Sequence, residues 1–152
     1  MTVIAELLVA LLGLAGFLLA NYIRATKRRQ TPLVCPIHGS CEVVVRSQFS
    51  ALLGIPLEYW GMAYYSLITL AYFLFALSPT AAPAIVSYFI LSLTATAFLF
   101  SLYLTAIQAV VLKHWCTWCL CSAALCTVIF SLVIYVSDLS LAALTGSWLS
   151  LF

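Results

Sequence analysis

Four long apolar runs, separated by short polar interruptions, set the layout of the chain. A helix needs about 20 apolar residues to cross a bilayer, and the runs fall at about residues 3–23, 59–77, 84–112 and 116–137. Glu6 and Asn21 interrupt the first run only near its ends, and Ser78-Pro79-Thr80-Ala81-Ala82-Pro83 makes a short turn between the second and third. The third run is long enough to tilt or to project past the hydrocarbon. Residues 138–152 are apolar but too short to cross, which predicts an interfacial or packed tail. Only helices and closed barrels satisfy their backbone in lipid, and unbroken apolar runs favour helices. The pattern therefore predicts an all-α integral membrane protein, a bundle of four transmembrane helices in one domain over residues 1–152. The first run has no basic segment before it and reads as a retained helix rather than a signal peptide.

Composition agrees: 66% of the 152 residues are hydrophobic and 7% are charged, where a soluble domain carries about a quarter charged residues. Charge then adds an orientation. Alternate crossings put the loop of residues 24–58 and the turn around Lys113 on one face, and the amino terminus, the Pro79 turn and the tail on the other. All six basic side chains (Arg24, Lys27, Arg28, Arg29, Arg46, Lys113) fall on the first face. Basic residues in short loops mark the cytoplasmic side, so that face is expected in the cytoplasm, with the extracytoplasmic side as the alternative. The Lys27-Arg28-Arg29 cluster also suits a helix end anchored at lipid phosphates, and no nucleic-acid partner is expected.

The same face carries the chemistry. Cys116-Thr117-Trp118-Cys119 stands at the mouth of the fourth helix. Its spacing lets two sulfurs meet across one turn, and a helix start stabilises a thiolate through unpaired N–H groups. Zinc sites, haem attachment and redox pairs all use Cys-x-x-Cys. Haem attachment needs a His after the second Cys, and Leu120 stands there. The second pair, Cys35 and Cys41, lies in the polar loop, where Pro36 and Gly39 supply a turn that lets the sulfurs approach. A small exposed ring of this kind is open to attack by an external thiolate, which suits a shuttle; a purely structural disulfide is the alternative. Cys121 and Cys126 are expected to be buried free thiols that behave as small hydrophobes. His38 and His114 offer a different reading, a cysteine/histidine metal-binding membrane module.

The order of these features resembles the vitamin K epoxide reductase family. The matching residues are Cys35, Cys41, Ser47-Gln48-Phe49-Ser50, Gly54-Ile55-Pro56, Gly61, Tyr64-Tyr65 and Cys116-Thr117-Trp118-Cys119. They extend over about residues 5–137, nearly the whole chain. Bacterial quinone-linked thiol oxidases of the disulfide-bond type carry the helix pair before the loop pair, the reverse of the order here. The resemblance implies a four-helix bundle enclosing a quinone of the ubiquinone or menaquinone type, drawn from the membrane pool. It implies that a reduced partner attacks Cys35, that Cys41 relays to Cys116, and that Cys119 faces the quinone. Ser47 and residues 49–56 would form a short cap helix or half-helix over the pocket, with Ser47, Phe49, Ser50 and Cys119 in contact with the quinone. Mammalian members have a Tyr one turn beyond the last active cysteine. Ala123 stands there in this chain, so quinone reduction rather than epoxide recycling is the expected activity. Many microbial relatives continue into a thioredoxin-like domain, whereas this sequence stops at Phe152. A separate thioredoxin-like partner and a monomeric enzyme are expected.

Several further side chains stand near this face. Phe49, Tyr59, Trp60, Trp115 and Trp118 are candidates to stack on a quinone ring, or to serve as interfacial belt residues. Glu58 reads as a solvated charge near a helix start. Gln108 must find a partner inside the bilayer, either a quinone oxygen or another helix.

Overall fold

The computed structural model describes residues 2–37, 39–78 and 84–149. Helix α1 (Thr2–Arg28) leads into a connecting segment. That segment holds a five-residue helix, α2 (Cys41–Val45), a single 3-10 turn (Gln48–Ser50) and a two-stranded hairpin of β1 (Ala51–Leu52) and β2 (Ile55–Pro56). Helix α3 (Leu57–Leu77) follows, then α4 (Ala84–Ile107), which runs into a π-helical turn at Gln108–Leu112, and finally α5 (Thr117–Leu149). Four stretches are long and apolar enough to cross a membrane: Val3–Arg28, Leu57–Leu77, Ile85–Leu112 and Thr117–Ser137. The chain is an integral membrane protein with the all-α architecture that hydropathy predicts.

Helix α1 packs along α3 and also touches α5, while α4 packs on α5. The approach of α1 to α3 depends on Gly16, because a Cβ there would lie 2.3 Å from the Tyr65 ring. Val9, Tyr65, Ile68, Ile90, Ile129 and Val133 form the centre of the bundle. Outside it, large apolar side chains such as Leu11, Leu18, Phe89, Leu99 and Val110 face outward, as lipid requires. Hydroxyls within the spans are satisfied locally: Thr94 donates to the Ile90 carbonyl, Thr96 to Ser92, Thr105 to Ser101 and Thr127 to Ala123, each at 2.9 Å.

Element boundaries differ from the sequence expectation at four places. Helix α1 continues to Arg28, past the predicted residue 23, because lysine and arginine are good helix formers and their heads can reach the lipid phosphates. Residues 49–56 are not a half-helix. The chain turns back through Leu53 (φ 55°) and Gly54 (φ 79°), and Ala51 pairs with Pro56 and Leu52 with Ile55. Two successive residues at positive φ are the signature of a two-residue hairpin loop. Helix α3 starts at Leu57, which brings Glu58 into its first turn. The backbone of residues 138–149 continues α5, and the Pro79 turn falls in 79–83, outside the described residues.

Candidate active site

The site begins where α4 ends. Gln108 opens the π-helical turn, its backbone carbonyl accepts the His114 N–H at 3.2 Å, and Lys113 takes a left-handed conformation (φ 52°) that ends the helix. The Gln108 side chain is buried, and its Oε1 accepts the backbone N–H of Cys116 at 3.2 Å. Gln108 thus bonds the residue just ahead of α5 and also borders the cavity described below. Cys116 stands just ahead of the fourth span and is fully buried, and the Cys119 N–H donates to its Sγ at 3.4 Å. The bond with the Cys119 thiol, joined by the N–H groups of Cys119 and Trp118, holds the Cys116 thiol below its usual range. Both cysteines of this pair are free thiols in the structure.

The loop pair sits directly above. Cys35 and Cys41 form a disulfide with Cα atoms 5.7 Å apart. Three hydrogen bonds seat this ring on the start of α5: Ser40 N–H to the Trp115 carbonyl, Thr117 Oγ1 to Ile37, and Trp118 Nε1 to Val34, all at 3.1 Å. A Cβ at Gly39 would lie 2.6 Å from the Trp115 carbonyl oxygen, so a side chain there would lift the ring off the helix. A fourth tether is Glu42, whose Oε2 accepts the Leu33 N–H at 2.9 Å. Cys41 and Cys116 lie in one buried cluster with Ile23, Leu33, Val44 and Val45, and Cys35 and Cys119 pack against it. The two cysteines of the loop ring differ in exposure: Cys41 is buried and Cys35 half-buried.

Beneath this cluster is a cavity of about 400 Å³, walled by α1, α3, α4, α5 and the cap segment. Cys119 borders it, as do Ser47, Phe49 and Ser50 from the cap. Ser47 donates to the Val44 carbonyl at 2.8 Å, and Ser50 Oγ accepts from Lys27 Nζ at 3.3 Å. Of the five candidate stacking residues, Phe49 and Trp60 line the cavity. Tyr59 instead lies under the Arg24 guanidinium, Trp115 is half exposed, and Trp118 packs on Tyr22 with ring centroids 5.0 Å apart.

Glu58 corrects the sequence reading most clearly. It is not a solvated charge: it is 8% exposed, one oxygen bonds Lys27 Nζ at 2.9 Å, and the residue lines the cavity. Its other oxygen is buried with no hydrogen-bond partner, as is the hydroxyl of Tyr64 in the same cavity wall. An unsatisfied buried polar atom costs about 1–3 kcal/mol, and a charged one more. Cys121 departs from expectation too, since it is exposed on the outer face of α5. Cys126 is buried, with its sulfur 3.3 Å from the Tyr65 hydroxyl. No group of three or more His, Cys, Asp or Glu among the described residues is arranged to hold a metal, and His38 lies outside them.

The cavity fits a quinone by its chemistry. Its volume lies in the range of small-molecule sites, which are lined mainly by apolar side chains with a few placed polar groups. The polar groups at hand include Ser47, Ser50, Gln108 and Ser122, together with Glu58 and Tyr64, each of which has an unpartnered oxygen. Fold and site together define a class: a four-helix membrane bundle with two dithiols gathered over an apolar cavity. The chain matches the family model described as "Vitamin K epoxide reductase family" over residues 7–134, and it belongs to that family. A search of curated proteins returned no match. Membership implies a membrane oxidoreductase acting on thiols and disulfides, in a family whose members use quinones.

Proposed function

We propose that the chain is a membrane thiol oxidase that passes two electrons from a thioredoxin-like partner protein, through Cys35/Cys41 and Cys116/Cys119, to a membrane quinone. The observation that carries this reading is the shared buried cluster of Cys41 and Cys116, with Cys119 at its edge bordering the cavity. A partner thiolate attacks Cys35 Sγ, the more exposed sulfur, and releases Cys41 as a thiolate. The partner's second thiol then closes the partner disulfide and leaves Cys35 reduced. Cys41 attacks Cys116 of a Cys116–Cys119 disulfide and releases Cys119. Cys35 next attacks Cys41, restoring the loop disulfide and freeing Cys116. The quinone supplies a two-electron, two-proton acceptor. Cys116 and Cys119 close their disulfide as the electrons leave across the cavity wall from Cys119. The net change is one partner dithiol oxidised to a disulfide and one quinone reduced to hydroquinone.

Ser47, Phe49, Ser50 and the Trp60 ring supply the walls that would orient the ring and keep water out. The charge bias puts this face in the cytoplasm, and reporter fusions within residues 24–58 test that side directly. The reaction is tested by reducing the purified protein anaerobically, adding one short-chain benzoquinone per chain and counting thiols. Two thiols per chain are expected to disappear in the wild type and none in Cys119→Ala with an intact fold. Equal loss in both would end this reading.

A further inference from the structure

We propose that Glu58, paired with Lys27, delivers a proton to the quinone as Cys119 gives up its electrons. This inference rests on the quinone-reductase reading above and assigns a residue to its proton step. Two observations point to it. Glu58 is more than nine-tenths buried, and its free oxygen has no partner in a wall of the cavity that Cys119 also borders. Its bonded oxygen is held by Lys27, whose side chain is 24% exposed and so links the cavity to the aqueous side.

A quinone oxygen accepts hydrogen bonds and cannot donate to a carboxylate, so Glu58 serves it only in the protonated form. The thiolate that the relay frees at Cys116, beside Cys119, supplies the reason for that proton. A thiolate at the head of the cavity and a carboxylate in its wall disfavour each other, and a proton entering past Lys27 onto Glu58 removes one of these charges. The step then balances. Cys116–S⁻ and Cys119–SH form one S–S bond and lose two electrons. One proton leaves Cys119 and the other leaves the Glu58 carboxyl. Hydroquinone is formed, and Glu58 is left as the carboxylate beside Lys27. The other titratable groups facing this space are Lys27 from α1, Tyr64 and Tyr65 from α3, and Cys126 from α5. Tyr65 and Cys126 already bond each other.

The test uses the full chain in lipid vesicles with a short-chain benzoquinone. In the wild type, adding the quinone to the reduced protein is expected to remove a protonated-carboxyl C=O band from the infrared difference spectrum, a band absent in Glu58→Gln. In stopped flow, Glu58→Gln is expected to oxidise its Cys116/Cys119 thiols about 100-fold more slowly, to recover part of the rate as pH is lowered, and to keep wild-type quinone affinity by Trp fluorescence. No such band in the wild type, or a band retained in Glu58→Gln, overturns the proposal. So does a variant with wild-type rate, or one that loses affinity instead of rate. Absence of the band from the wild type overturns the proposal even if Glu58→Gln does not fold, and Glu6→Gln, which should keep the band, separates Glu58 from the bundle's other carboxyl with a buried, unpartnered oxygen. A Cys119→Ala control separates the two levels. If that variant still reduces quinone, the underlying reading fails; if it is inactive while Glu58→Gln runs at full speed, only the proton role fails.

Discussion

The outer and inner cysteine pairs share one element and little else. Cys35 and Cys41 close a ring in a loop held to the bundle by a few hydrogen bonds from Ser40, Thr117 and Trp118 and braced within itself by Glu42. Cys116 and Cys119 are set by the first turn of a long helix, with Gln108 fixing the Cys116 N–H and the buried cluster closing over the sulfur. Thiol–disulfide exchange needs one sulfur to approach another in line, and it favours an attacking thiol with a pKa near the ambient pH and a leaving thiol of low pKa. A pair that can move and a pair that cannot divide those demands. The loop presents Cys35 outward and Cys41 inward; the helix holds Cys119 at the cavity wall and stabilises charge on Cys116.

The largest expected effect comes from removing the mobile half. A Cys35→Ala/Cys41→Ala double variant should lose oxidation of a thioredoxin-like partner to background. Its pre-reduced Cys116/Cys119 pair should still be oxidised by a benzoquinone in a single turnover at the wild-type rate. Partner oxidation that persists in steady-state assays of this variant would show that the loop is no relay and dissolve the contrast between the two pairs.

A smaller effect is expected from loosening the fixed half. In Gln108→Leu the buried Cys116 N–H loses its acceptor, which costs about 1–3 kcal/mol. A lower Tm in detergent should accompany slower oxidation of the inner pair, while reduction of the Cys35–Cys41 disulfide by a small reductant keeps its rate. Equal slowing at both pairs would mean that Gln108 supports the whole face rather than the helix start alone.

How much of this was legible in the sequence depends on which solvent a residue meets. The four spans were readable because lipid demands about 20 apolar residues per crossing, and the order of cysteines pointed to the family. The interior of the bundle was not readable from hydrophobicity. Lipid-facing and core-facing positions are equally apolar, so Cys121 and Cys126 look alike in sequence although one faces outward and the other packs on Tyr65. Glu58 was misread because an acid in the first turn of a helix is ordinarily a solvated complement to the dipole. Only the fold of the cap brings Lys27, 31 residues away in sequence, to its carboxylate. The hairpin after Ser50 escaped notice because its turn, Leu53-Gly54, lacks the polar residue that usually announces one.

The finest test of the comparison is pH. The Leu33 N–H, and secondarily Arg46, hold the Glu42 carboxyl below its ordinary value of 4.5, and Glu42 lies outside the spans at the loop's base. A carboxyl lowered in the folded state contributes its stabilisation in full above the unfolded pKa and loses it as pH falls through the folded one. The tether on the loop should therefore be complete at neutral pH and weaken only below 4.5. A phosphine reductant, which works in acid, reads this out as the rate of Cys35–Cys41 reduction. In the wild type the rate should rise modestly at acid pH, because Glu42 is a surface group and its neighbours at Ser40, Thr117 and Trp118 keep their bonds. Glu42→Gln should already show the raised rate at neutral pH and no further acid step. An acid step that survives in Glu42→Gln would assign the loop's pH response to another group and leave the loop and helix pairs less different than their tethers suggest.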